Sequence, residues 1–151
     1  MTALVIAEAH CSVEFDPDWP LTEDRGPDRG GLSQPLADSG GSVFLHYGPS
    51  STIESYVGGW RARYGAGAHV TADRAVVTRD GLEGRCVALA LDEEVTSRLG
   101  DSRSVTPAQI LVCSGYTIRA VPVLLGYLVP QAADARHVET ADRILASLRV
   151  T

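Results

Sequence analysis

Residues 107–130, PAQILVCSGYTIRAVPVLLGYLVP, carry a single charge, Arg119, in twenty-four positions. A stretch this apolar and this rich in β-branched and aromatic residues belongs inside a sheet. Ser114-Gly115 predicts a hairpin turn that divides it into two strands. Pro122 cannot donate to a β-ladder, so the second strand is expected at a sheet edge or with a bulge. Its run AVPVLLGYLVP is more apolar than one buried strand requires. Burial beneath the domain's own long loop and contact with a partner both account for that excess.

A second strand pair is expected upstream in HVTADRAVVTRDGLEGRCVALALDEE, turning at Asp80-Gly81. Arg85, Val87, Leu89 and Leu91 alternate with Cys86, Ala88 and Ala90. Both faces of this strand avoid polarity, which predicts cover on both sides, and its small-residue face invites the close approach of a helix.

Helical periodicity appears twice. After the strand SVFLHY, Ser51 and Glu54 form a capping box, and Gly65 is placed to end a helix. Ile53, Tyr56, Val57, Trp60 and Tyr64 recur at spacings of three and four, forming one apolar stripe. Trp60 therefore reads as a packing anchor before it reads as a platform for a cofactor. A terminal helix over about 134–148 turns Val138, Ala141, Ile144, Leu145 and Leu148 to one side, with Asp134 as its cap. The opening LVIAEAHCSVEF reads as one or two strands. Residues 16–42, rich in Pro, Gly, Asp and Ser, read as a long surface excursion with a short strand near 32–36, either serving a purpose or simply a mobile insertion. EEVTSRLGDSRSVT is a polar stretch with no element assigned.

These elements imply an α+β fold: an antiparallel sheet of about six or seven strands covered by two main helices. At 151 residues one domain, 1–151, is expected, long enough to bury roughly two-thirds of its unfolded surface. Thirteen arginines, no lysine and nineteen carboxylates give a net charge of −6. That balance repels a phosphate backbone and argues against nucleic acid, while the absence of lysine reads as GC-rich coding in a bacterial chain. The apolar run at the start is short and broken by Glu8, with no basic residues before it, so neither a secretion signal nor membrane insertion is expected and the location reads as cytoplasmic. Cys11, Cys86 and Cys113 have no metal spacing and read as buried, reduced thiols.

A family resemblance rests on four stretches: FDPDW after the opening strand, VFLHYGPSSTIESYVGGW, the turn RDGLEGR, and the closing ADRILASLRV. Together they resemble the Mog1/PsbP/DcrB-like sandwich group over nearly the whole chain, as a pattern of elements more than a signature. The resemblance implies a non-catalytic binding or assembly module, since that group includes cytoplasmic chaperones that shield apolar segments of secreted effectors, lipoproteins and a small-GTPase-binding protein. It brings no catalytic residues. The long 16–42 segment and the missing secretion signal set this chain apart from the photosynthetic and lipoprotein branches.

The chemistry-bearing residues are sparse. There is no GxSxG, HExxH or Walker A pattern, and Gly65-Ala66-Gly67 follows a helix where a phosphate loop would open one. His10, His46, His69 and His137 are scattered, and adjacent His10 and Cys11 point apart on a strand, so no metal and no cofactor is expected. Asp16 and Asp18 lack the glycine and distal glutamate of a calcium loop and read as turn carboxylates; Asp92, Glu93 and Glu94 read as a solvated strand end.

Two functions remain. The first is a cytoplasmic, chaperone-like accessory protein that recognises an apolar segment of a protein partner, or a small apolar ligand, through Trp19, Tyr47, Trp60 or Tyr127, with a homodimer also considered. The second is a small cofactor-free cyclase, isomerase or lyase, with His46 as acid or base and Arg85 and Arg119 as anion binders, against the plainer reading of both arginines as surface or paired charges. His46 shares a strand face with Phe44, and Tyr47 lies on the other with Val43 and Leu45. An enzyme needs an enclosed pocket with a titratable group; an accessory protein needs an open apolar surface.

Overall fold

The computed structural model describes residues 3–97 and 103–151. Its centre is a seven-stranded antiparallel sheet in the order β3-β4-β5-β11-β10-β7-β6. The strands are β3 (Thr22–Arg25), β4 (Gly30–Pro35), β5 (Ser42–Tyr47), β6 (Ala68–Val77), β7 (Glu83–Leu91), β10 (Gln109–Ile118) and β11 (Val121–Pro130). A smaller sheet joins β1 (Leu4–Ile6), β2 (Cys11–Val13) and β12 (Arg149–Val150), and β8 (Glu94–Ser97) pairs with β9 (Arg103–Thr106) as a separate arm. The helices are α1 (Ile53–Tyr64) and α2 (Ala135–Ala146). The fold is an α+β sandwich.

β11 organises the interior because both of its faces are buried. Val123, Leu125, Tyr127 and Val129 enter one core with Val43, Leu45 and Tyr47 of β5, Ile6, Cys11 and Val13 of the small sheet, and Ala141 and Ile144 of α2. Leu124 enters a second core on the opposite face with Leu111 and Cys113 of β10, Val87, Leu89 and Leu91 of β7, and Ile53 and Val57 of α1. α2 and the small sheet therefore cover one face towards β5, and α1 covers the other towards β7. The two layers are offset across the sheet, and each leaves part of its face open.

Several local expectations need correction. The hairpin 109–130 turns at Arg119-Ala120, both with positive φ (48° and 67°), not at Ser114-Gly115, which lies mid-strand. Gly115 is there for contact: a Cβ would stand 2.6 Å from Cγ1 of Ile53, so the glycine lets α1 sit down on the sheet. β11 is central, not an edge. Pro122 is its second residue, before pairing with β5 begins at Val123, and its carbonyl accepts from Gly48 N–H at 3.0 Å. The missing donor thus falls where no ladder needs it.

In β7, α1 packs on the large side chains Val87, Leu89 and Leu91. The small-residue face is not the one α1 uses, and Ala88 and Ala90 stay half-buried. The cap of α1 is Thr52, whose hydroxyl accepts from Ser55 N–H at 3.2 Å, one residue after the expected Ser51; Gly65 ends the helix as expected. Asp134 caps α2 through Arg136 N–H.

The segment 16–42 contributes two strands to the sheet: β3 and β4 form a hairpin closed by Gly26 N–H to Arg29 C=O at 3.0 Å, with turns and loop around it. Its turn residues mask the strands in the sequence, and β3, TEDR, has no apolar residue because all of it is exposed. Within the polar stretch expected to have no element, β8 and β9 pair; its residues 98–102 lie outside the described ones. The three cysteines are free and buried, with the thiols of Cys11 and Cys113 pushed up to about 12 by burial, as inert thiols are.

Candidate functional site

Where α1 leaves its face of the sheet uncovered, β3, β4 and β5 floor a groove. The floor is low because β4 opens with Gly30-Gly31, opposite Tyr47 and His46. A Cβ at Gly31 would lie 2.8 Å from Nδ1 of His46, and one at Gly30 would lie 2.5 Å from the Tyr47 hydroxyl. The glycine pair thus makes room for two rings on opposite faces of the sheet. Tyr47 turns into the first core and donates to the Gly26 carbonyl at 2.7 Å, holding the hairpin tip. His46 turns the other way, towards α1.

The resulting cleft has a volume of about 870 Å³, is open to solvent, and is lined among others by Thr22, Asp24, Arg29, Ser33, His46 and Tyr56. A shallower recess of about 440 Å³ shares Thr22 and Ser33 and extends it along β4. One wall is aromatic. His46 lies 5.1 Å from Phe44 and 6.1 Å from Tyr56 between ring centroids, and the series continues from Tyr56 to Trp60 at 6.3 Å and Trp60 to Tyr64 at 5.8 Å. The Arg63 guanidinium lies 5.6 Å from the centre of the Trp60 ring and 5.2 Å from that of Tyr64, with Glu94 holding it at 2.8 Å. Burial lowers the pKa of His46 below the ordinary histidine value and raises that of Tyr56, so both rings are neutral at neutral pH.

Of the three residues expected to act together in catalysis, only His46 lines the cleft. Arg85 binds Asp73 through Nε at 2.8 Å and Nη2 at 2.7 Å, and Glu54 through Nη1 at 3.2 Å. Its charge is already matched, and Asp73 is held below the usual carboxylate range by that pairing. Arg119 sits in the β10–β11 turn, not on a strand, with its guanidinium donating to the Thr151 carbonyl at 3.0 Å.

The four aromatic candidates are likewise separated. Tyr47 and Tyr127 are 1% and 4% exposed; Tyr47 borders the cleft from within the first core, and Tyr127 does not reach it. Trp19 is half-buried at the far end of the loop before β3, and Trp60 lies on the helix that walls the cleft, packed against the second core as expected of an anchor. Asp16 accepts from Asp18 N–H at 3.0 Å, a turn carboxylate as read. Among the described residues no group of three or more His, Cys, Asp or Glu is placed to hold a metal ion.

Four positions escape the sequence reading. The pattern places Tyr56 only in a stripe, and the Gly30-Gly31 pair only in loop composition. Gln34, 2% exposed, receives Asp16 N–H at 2.7 Å and donates to the carbonyls of Asp16 at 2.9 Å and Trp19 at 3.4 Å, tying the preceding loop down. A lone amide alternating with Leu32 and Leu36 was the available signal.

No family model matches the sequence, and no curated protein matches it significantly. Solved structures do match. Cyanobacterial PsbP (CyanoP) of Synechocystis aligns over 99% of this chain and 92% of its own, with a TM-score of 0.62 at 11% identity. The Saccharomyces cerevisiae Ran-binding protein Mog1p aligns over 99% and 94%, with a TM-score of 0.55 at 8% identity. The fold is Mog1/PsbP-like. A Bacteroides thetaiotaomicron structure aligns over 99% of this chain at 14% identity with a TM-score of 0.48, and the chain spans 48% of that protein's length. Identities this low establish shape alone. No helix among the described residues is long and apolar enough to cross a membrane.

Proposed function

We infer that this Mog1/PsbP-like chain is a cytoplasmic, chaperone-like accessory protein that holds an apolar segment of a partner polypeptide in the cleft between the β3–β4 hairpin and α1. The observation that carries this reading is the cleft's form: open along the sheet, walled by Tyr56 and the aromatic series behind it, and floored by glycine and serine. A low floor admits another backbone, and an aromatic wall supplies apolar contact. Among the described residues His46 makes no hydrogen bond to a nucleophile or an acid, as an activated pair would require. A Mog1/PsbP-like structure bearing the description Ran-binding adds that protein partnership is compatible with this shape. One observation favours the pocket-enzyme alternative: burial keeps His46 neutral and so able to accept a proton.

The test combines native mass spectrometry of the protein isolated from its own host with a photo-crosslinking residue at Tyr56, and a control at the exposed Val150. Crosslinks from position 56 to an apolar segment of one polypeptide, without crosslinks from 150, are expected. A bare protein carrying a small molecule, with no crosslink at 56, would overturn this reading in favour of the enzyme.

A further inference from the structure

The two edges of the seven-stranded sheet are guarded unequally. β3 is four residues long, mostly charged and fully exposed, which is how natural edge strands avoid unwanted pairing. β6 is ten residues long, AHVTADRAVV, and its one irregularity is a bulge between Val70 and Ala72. Beyond the bulge, Ala72–Val77 run in unbroken register against β7, and among the described residues no strand pairs on the outer side. Val77 is 65% exposed, and Ala75 is exposed beside it.

We propose that β6 is a homodimer interface, in which the β6 strands of two copies pair antiparallel about a two-fold axis through Val76 and continue the sheet from one copy into the other. The charge pattern selects this register. A two-fold axis perpendicular to the sheet keeps each face on its own side, so opposing residues come from the same face. Centring on Asp73 or Arg74 sets like charges directly opposite each other, which is destabilising. Centring on Ala75 sets Asp73 against Val77 and Arg74 against Val76, so each charge faces a valine. Centring on Val76 opposes Val76 to itself, Ala75 to Val77, and Arg74 to Thr78. It also brings Arg79 of the second copy beside Asp73. Arg79 is exposed in the turn after β6 and has no ion-pair or hydrogen-bond partner among the described residues. Asp73 is bound by Arg85 on the side of its own sheet and exposed elsewhere. The less guarded edge, its apolar centre and its flanking charges thus complement a second copy of themselves.

The experiment is sedimentation equilibrium of the full chain over a wide concentration range, with two double variants at exposed positions where folding is tolerant. Wild type is expected to show a concentration-dependent monomer–dimer equilibrium. Ala75→Lys with Val77→Lys places lysine opposite lysine on both sides of the axis and is expected to raise the dissociation constant about tenfold or more, while Ala75→Lys with Val77→Glu places lysine opposite glutamate and restores it. Circular dichroism confirms that both variants remain folded. Wild type that stays monomeric up to its solubility limit overturns the proposal, as does a dimer indifferent to the double lysine. Equal weakening by both variants overturns the Val76-centred register and with it the interface.

Discussion

At the scale of single residues, the cleft depends on atoms that are missing. Gly31 leaves space that His46 occupies, so Gly31→Ala forces the ring away and costs about 1–3 kcal/mol, as overpacking does. Chemical denaturation measures the loss, and the displaced His46 resonance in NMR identifies its source. His46 also makes a pH prediction. Its folded pKa lies below the unfolded value because burial disfavours the charged ring, so the unfolded chain binds the proton more readily. This contribution is fully present above the unfolded pKa near 6.5 and is lost as pH falls from there through the folded pKa. An NMR titration should place the His46 midpoint below the ordinary histidine value, and His46→Phe should flatten the stability profile over that window. Neither effect was legible from the residue types. Histidine and glycine can be recognised in a sequence, but their separation is set by strand pairing.

At the scale of elements, α1 shows what periodicity conveys and what it does not. The stripe from Ile53 to Tyr64 faces the second core as its spacing requires. Gly58 and Gly59 lie on the opposite side, where an added methyl meets nothing within 4 Å. Gly58→Ala and Gly59→Ala should each stabilise the protein by about 0.5–1 kcal/mol, measured as a rise in thermal midpoint. Loss of stability on either change would mean that something unseen packs there. The cap is a sharper case, since Ser51 and Thr52 are both suitable residues and only backbone geometry separates them. Thr52→Ala should cost about 1 kcal/mol in urea denaturation, and Ser51→Ala much less. The hairpin 109–130 was legible as two strands, but its turn was not. Gly115 looks like a turn residue yet serves contact with Ile53, while Arg119 and Ala120 turn the chain without looking the part.

At the scale of the molecule, two cores share one sheet and meet back to back on β11. Leu124 and Leu125 are each fully buried, one in each core. Leu124→Ala and Leu125→Ala should each cost about 2–5 kcal/mol. Because one strand carries both cores, either variant should still unfold in a single transition by circular dichroism and tryptophan fluorescence. Two resolved transitions would show that the helical layers melt independently. The offset of those layers opens the cleft on one face and leaves Ala88 and Ala90 only half-buried on the other.

Alternation, helical stripes and turn residues established the element types, the α+β class and the resemblance to Mog1/PsbP-like proteins. Each of these is local: a period of two or of about 3.6 records which side of an element avoids water. Tertiary structure decided that AVPVLLGYLVP is the central strand, that the Pro- and Gly-rich segment contributes two strands, and that His46 parts from Arg85 and Arg119 to face Tyr56. It did so because burial on a given side depends on what the rest of the chain lays there. Local periodicity records that a face is hidden; only the packed layers show what hides it.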